Sequence, residues 1–171
     1  MSLEHVVPGD NVPQEVNVVI EIPRGSGNKY EFDKESGRVV LDRVQPTSMK
    51  QPYDYGFVPH TLSDDGDPID ALIVIDEPLY PGVVVPCRVL GLLKMVDDGE
   101  DDEKLVCVAA DDKNYEHVRN LEDLGPHFQA KVRHYFERYK DLQNKEVSIT
   151  GWGDVDEAYG AVDTAISNYQ R

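Results

Sequence analysis

Asp65-Gly66-Asp67-Pro68-Ile69-Asp70 sets three carboxylates within six residues, directly before an apolar run at 71–75. Gly66 and Pro68 favour a tight turn, so the acids stay together. Like charges at ~4 Å in a surface-like dielectric repel by on the order of 4 kcal/mol per pair. Such a cluster is either solvated or neutralised by cations. An all-oxygen donor set suits a hard cation such as Mg²⁺, Mn²⁺ or Ca²⁺, not zinc. An EF-hand is a poor fit: it needs Gly at its sixth position and Glu at its twelfth, where this chain has Asp70 and Asp76. Taken alone, the turn reads equally as a solvated acidic loop.

A second acidic stretch, Asp97-Asp98-Gly99-Glu100-Asp101-Asp102-Glu103, joins two strongly β-like segments. Asp98, Glu100, Asp101 and Glu103 read as a solvated hairpin loop. Asp97 and Asp102 stand near the two strand ends, where a hairpin would bring them together across the ladder. Asp102 and Lys104 are two apart and share a strand face. A carboxylate beside an ammonium can hold both a metal ion and the anion it neutralises. In Lys29-Tyr30-Glu31-Phe32-Asp33, alternation turns Tyr30 and Phe32 inward and puts Lys29 and Glu31 on the other face. Alone, that face is an ordinary exposed ion pair worth ~0.2–1 kcal/mol. Glu21 interrupts an apolar strand and faces either water or a polar cavity. Arg43 ends a strand. Tyr139-Lys140 closes an aromatic helix, where a lysine complements the helix dipole. Tyr55 lies in an aromatic segment and supplies either core packing or a hydroxyl donor. The five histidines form no HExxH pattern, and no Walker loop or G-x-S-x-G is present.

These residues hang on a mostly β framework. Strand patterns cover 16–22, 29–33, 39–43, 71–75, 83–95, 104–110 and 147–152, broken by Gly, Pro and Asp. Short strands of this kind suggest a closed or partly closed barrel. The aromatic stripe Phe128, Val132, Tyr135, Phe136 and Tyr139 predicts a helix over 125–142. Ala158, Val162, Ala165, Ile166 and Tyr169 predict another over 156–169. The sum is an α+β chain, a small barrel with flanking α-helices.

The chain has 171 residues, consistent with a single domain over 1–171. Its net charge of −16 opposes nucleic acid and anionic membrane as partners. An anionic substrate would therefore need concentrated local cations, which bound metal ions would supply. Cys87 and Cys107 lie in apolar runs whose spacing fits no zinc motif, and they read as buried reduced thiols. The first residues lack a basic and an apolar signal region, and no apolar run reaches transmembrane length, so a cytoplasmic protein is expected.

The pieces together resemble a known family. D-x-D-P-x-D, here Asp65 to Asp70, is accompanied by Val19-Ile20-Glu21-Ile22-Pro23, Lys29-Tyr30-Glu31, Asp42-Arg43, Asp54-Tyr55-Gly56-Phe57, Gly82, Gly91, Lys94-Met95, Asp97, Asp102-Glu103-Lys104 and the run 134–142. This ordered set is similar to the soluble family I inorganic pyrophosphatases of the short prokaryotic type. The resemblance implies a five-stranded OB-like closed barrel with flanking helices. It implies hydrolysis of diphosphate to two orthophosphates by in-line attack of a metal-activated water, with several Mg²⁺ ions per site. Mn²⁺ is implied as a substitute and Ca²⁺ as an inhibitor. By the same resemblance Asp65, Asp70 and Asp102 are ligands of the tight metal sites, with Asp97, Glu31 and Glu21 serving the further ions. Asp67 is the general base. Lys29, Arg43, Tyr55, Lys104, Tyr139 and Lys140 form the substrate-binding set, and a homohexamer follows by analogy.

Two positions depart from the family's pattern. Gln51 stands where a tyrosine is usual, and Asp98 where Glu is frequent. Other classes stay in view: a calcium-buffering acidic domain, an OB-type nucleic-acid binder, and a phosphatase of nucleotides or polyphosphate. The first leaves Lys29, Arg43, Lys104 and Lys140 beside the acids unexplained, the second is opposed by the charge, and the third lacks a base-stacking surface or a long basic track. The preferred reading requires the 65–70 turn and the 97–102 segment to meet in one bowl.

Overall fold

A computed structural model describes residues 2–171. Eight strands and two α-helices follow in the order β1 (Glu15–Ile22), β2 (Asn28–Asp33), β3 (Arg38–Val44), β4 (Asp54–Phe57), β5 (Asp70–Val74), β6 (Val84–Asp97), β7 (Glu100–Ala109), α1 (Pro126–Arg138), β8 (Val147–Gly153) and α2 (Val155–Tyr169). The fold is α+β with a largely β core. One sheet runs β1-β4-β5-β7-β6-β8, and β1 also pairs with β6, so five strands follow one another in a ring. The remaining strands lie outside that ring: β8 extends it from β6, and β2 and β3 form a separate hairpin.

The burial pattern explains the layering. Val16, Val18 and Ile20 of β1 join Ile73, Leu105 and Cys107 in one core, which Ala158, Val162 and Ala165 of α2 cover. Leu72, Leu93, Met95 and Val106 face the other way and pack against Phe128, Val132, Tyr135 and Phe136 of α1. Alternate side chains of a strand point to opposite faces, so β5, β6 and β7 each feed both cores. Phe32 of β2 ties the separate hairpin to Val19 and Phe57. At Gly56 a Cβ would stand 2.0 Å from the Val19 carbonyl oxygen. Only glycine lets β4 lie this close to β1.

The second acidic stretch is strand for most of its length. A two-residue turn at Asp98 (φ 52°) and Gly99 (φ 85°) joins β6 to β7. An Asp-Gly pair with both φ positive matches the right-handed twist of a hairpin, so no long loop is needed. Asp97 consequently pairs with Glu100, and Asp102 lies opposite Met95. Asp97 and Asp102 are thus diagonal neighbours on one face, not direct ladder partners. Helix α1 ends at Arg138, short of the 125–142 span predicted by the aromatic spacing. Lys140 follows outside the helix, before a short 3₁₀ turn at Asp141–Gln143 capped by left-handed Asn144. Among the described residues no helix is long and apolar enough to cross a membrane.

Candidate active site

The 65–70 turn is held by its own backbone. The Asp67 N–H donates to Asp65 Oδ1 at 2.9 Å, the Ser63 N–H donates to the Asp67 carbonyl at 2.7 Å, and the Gly66 N–H to the Ser63 carbonyl at 3.0 Å. Gly66 takes φ 90°, a conformation that glycine adopts freely. Asp65 and Asp67 are left exposed at the mouth of a cavity while the chain dives into β5.

Asp70, the first residue of β5, lies in register with Lys104 of β7 because those strands run parallel. Lys104 is only 3 % exposed. Its ammonium donates to Asp70 Oδ2 at 3.1 Å, to Asp102 Oδ1 and Oδ2 at 3.1 and 3.0 Å, and to the Tyr55 hydroxyl at 2.9 Å. Tyr55, on β4, donates to Asp70 Oδ2 at 2.5 Å. Beyond the end of α1, Lys140 donates to Asp97 Oδ2 at 2.6 Å. Lys29 pairs with Asp42 at 3.2 Å across the β2–β3 hairpin, and both are partly exposed. Among the described residues, the buried Arg43 Nε has no hydrogen-bond partner.

A single cavity of about 380 Å³ brings together Lys29, Arg43, Tyr55, Asp65, Asp67, Asp70, Asp97, Asp102, Lys104, Tyr139 and Lys140. Glu21 and Glu31 are not in it. They line an adjoining hollow of about 170 Å³ that shares Lys29, Tyr55, Asp67 and Asp70 with the main cavity. Glu21 is buried, and its Oε2 accepts the Phe32 N–H at 2.7 Å. That bond fastens β2 to β1 and turns the carboxyl inward. Both departures from the family's pattern, Gln51 and Asp98, line the main cavity as well. So does Lys145, which sequence reasoning missed: it lies in a loop after the 3₁₀ turn, where no periodicity marks a direction.

Burial, and like charge after it, shifts the ionisation of these carboxylates. Burial, reinforced by Asp70 and Glu31, pushes the Glu21 carboxyl up to about 7 against the Phe32 N–H. Desolvation raises Asp65, with Asp102 and Asp67 adding repulsion. Burial raises Asp102, aided by Asp70 and Asp97 and opposed by Lys104. Burial would discharge Lys104, but Tyr55, Asp70 and Asp102 outweigh it and hold the ammonium well above its usual range.

The cavity wall carries eight carboxylates against five basic side chains, an excess of negative charge. Among the described residues no three carboxylates form a ready-made cation cage. The Lys104 ammonium instead sits between Asp70 and Asp102. Oxygen-only donors with surplus negative charge fit a divalent hard cation. The basic wall suits a small anion with several oxygens.

Comparison with known proteins shows the family. The family model described as inorganic pyrophosphatase matches residues 18–170. An inorganic pyrophosphatase of Nostoc sp. (strain PCC 7120) is 47% identical, with 96% of this chain and 97% of that protein covered. One from Synechocystis sp. (strain PCC 6803) is 46% identical over 91% of this chain and 92% of its own. The crystal structure of inorganic pyrophosphatase from Thermus thermophilus superposes with a TM-score of 0.96 at 43% identity, covering 100% of both chains. By sequence and by fold alike, this chain belongs to the inorganic pyrophosphatase family.

Proposed function

We propose that this chain hydrolyses inorganic diphosphate to two orthophosphates in a divalent-cation-dependent reaction, with 1–171 acting as one catalytic domain. The ring of five strands is read as an OB-like closed barrel carrying the site. The observation that carries the reading is the single cavity in which the 65–70 turn, the β6–β7 hairpin and a basic wall meet. Asp65, Asp70 and Asp102 would hold the tightest cations, with Asp97, Glu31 and Glu21 serving further ones. Mg²⁺ is the proposed ion, with Mn²⁺ as a substitute and Ca²⁺ as an inhibitor. Bound there, such cations would offset the charge of the substrate and make the attacking water more acidic.

The side chains do the remainder. Asp67 is exposed at the cavity mouth on a turn that its own backbone fixes, so it can take the proton of an attacking water. The water oxygen bonds to one phosphorus in line with the bridging oxygen, the bridging P–O bond breaks, and orthophosphate departs. Lys29, Arg43 and Lys140 stabilise the charge that gathers on the leaving group. Lys104 and Tyr55 hold Asp70 and Asp102 in place, and Tyr139 closes the wall beside Lys140.

A colorimetric phosphate assay with diphosphate, ATP and tripolyphosphate, each with Mg²⁺, Mn²⁺ or Ca²⁺, tests this. Rapid release from diphosphate with Mg²⁺, little with Ca²⁺ and little from ATP is expected. No release from diphosphate with any of the three ions would overturn the proposal. A homohexamer in the cytoplasm is the proposed working state, and light scattering of the purified protein measures its mass.

A further inference from the structure

The 65–70 turn rises from the connection 58–69, which joins β4 to β5. The base of that connection is closed by the Val58 N–H, which donates to the Ile69 carbonyl at 2.9 Å. Within the base lies Thr61, 1 % exposed. Its hydroxyl is used in both directions: it donates to the Val58 carbonyl at 2.6 Å and accepts the Ile69 N–H at 3.1 Å. Thr61 lines neither the main cavity nor the hollow beside it, so whatever it contributes there passes through the turn.

The residues on either side of Thr61 are pinned to the last turn of α2. The Leu62 N–H donates to the Ala165 carbonyl at 2.9 Å, and Asn168 Nδ2 donates to the Leu62 carbonyl at 3.3 Å. His60 takes φ 54°, in the left-handed region that few residues other than glycine adopt. Its ring stacks on that of Tyr169, with centroids 5.2 Å apart. The direction of the buried hydroxyl is thereby set from outside the turn.

Asp70 is held by Tyr55 and Lys104, and Asp67 by the Asp65 carboxylate. Between Asp67 and Asp70 stand only Pro68, which has no N–H, and Ile69. The Ile69 N–H is the one backbone donor in that interval, and Thr61 receives it. We propose that Thr61 is a positioning residue, its hydroxyl fixing the spacing of Asp67 from Asp70 and so the place of the proton acceptor over the floor of the cavity. The proposal rests on the diphosphatase reading and the role of Asp67 given above.

Thr61→Val keeps the shape of the side chain and deletes both bonds. Its melting temperature falls by roughly 2–8 °C, because buried backbone groups lose their partner. At saturating Mg²⁺, well below the melting temperature, its kcat for diphosphate falls roughly 10–100-fold, the effect of a displaced proton acceptor. KM stays within about twofold of the parent, because Lys29, Arg43 and Lys140 are held by other elements. Thr61→Ser loses a buried methyl group yet keeps the hydroxyl: it too melts early, but its kcat stays within about threefold of the parent. Thr61→Ala deletes the same two bonds and carries the kinetic comparison should the valine variant fold poorly. A kcat within about twofold of the parent in the valine and alanine variants, a serine variant as slow as these, or a raised KM with kcat unmoved overturns the proposal and leaves Thr61 as scaffolding. A parent enzyme that releases no orthophosphate from diphosphate sinks the diphosphatase reading itself, and this role with it.

Discussion

Lys104→Met removes the ammonium that holds the floor of the cavity together while keeping the buried stem. The lysine side chain is 4% exposed, Asp102 18% and Asp70 27%. Neither carboxylate can reach bulk water freely, and each loses its cationic partner. Breaking a buried ion pair by deleting one member costs ~3–5 kcal/mol. The partial exposure of both acids places this case at the lower end, about 3 kcal/mol. For a chain of this length each kcal/mol lowers the melting temperature by about 2–4 °C. Differential scanning calorimetry in chelator should therefore show a drop of roughly 6–12 °C. Saturating Mg²⁺ should recover more stability in the variant than in the parent, since the freed carboxylate oxygens become available to the cation. A variant that melts with the parent in chelator would refute the premise that Lys104 neutralises Asp70 and Asp102.

Asp67→Asn should keep the circular dichroism spectrum and the Mg²⁺-induced rise in melting temperature, yet lose ~10²–10⁴ in kcat; near-parental turnover removes the base assignment. Gly56→Ala drives a methyl group into the Val19 carbonyl and should lower the urea midpoint by the equivalent of ~3 kcal/mol or more. An unshifted midpoint would contradict the close contact of β1 and β4. Cys87 and Cys107 are fully buried, and burial raises Cys87 well above its usual range and Cys107 to about 12. Both should resist a thiol-reactive dye until the protein unfolds. Because folding favours the protonated thiol, its stabilisation is complete below pH ~9 and is lost as pH climbs towards 12. Cys107→Ala should flatten the alkaline fall in urea midpoint, and an unchanged slope refutes that linkage.

Much of the site is written in local spacing. Asp65, Asp67 and Asp70 sit in a turn that Gly66 dictates, and Asp102 and Lys104 share a face because they are two apart. The helical stripes are equally plain, as Phe128 to Phe136 and Ala158 to Ala165 are buried where period 3.6 puts them. Other features depend on partners far along the chain. The placement of Asp97 follows from the Asp98-Gly99 turn, which moved it from facing Asp102 to facing Glu100. A seven-residue acidic stretch hides that turn, because every residue in it suits a loop as well as an exposed strand. Glu21 could have faced water; it faces inward because the Phe32 N–H from the neighbouring hairpin receives it. Gln51 was legible only as a departure from a family pattern, since nothing local announces that a glutamine before a proline will be buried. The pairing of β1 with β6 joins segments roughly seventy positions apart, beyond the reach of any periodicity.

That long-range pairing bears on how activity returns after denaturation. Asp70 meets Lys104 only when parallel strands dock across a 34-residue separation, and β1 must reach β6 for the ring to complete. Chain-closure entropy delays such contacts relative to the neighbouring β6–β7 hairpin. Regained turnover would therefore follow the slowest global step of refolding, while early fluorescence or dichroism signals report segments that cannot yet bind anything. A nascent chain still lacking β7 would carry the Asp65–Asp70 turn but not the lysine that tames it.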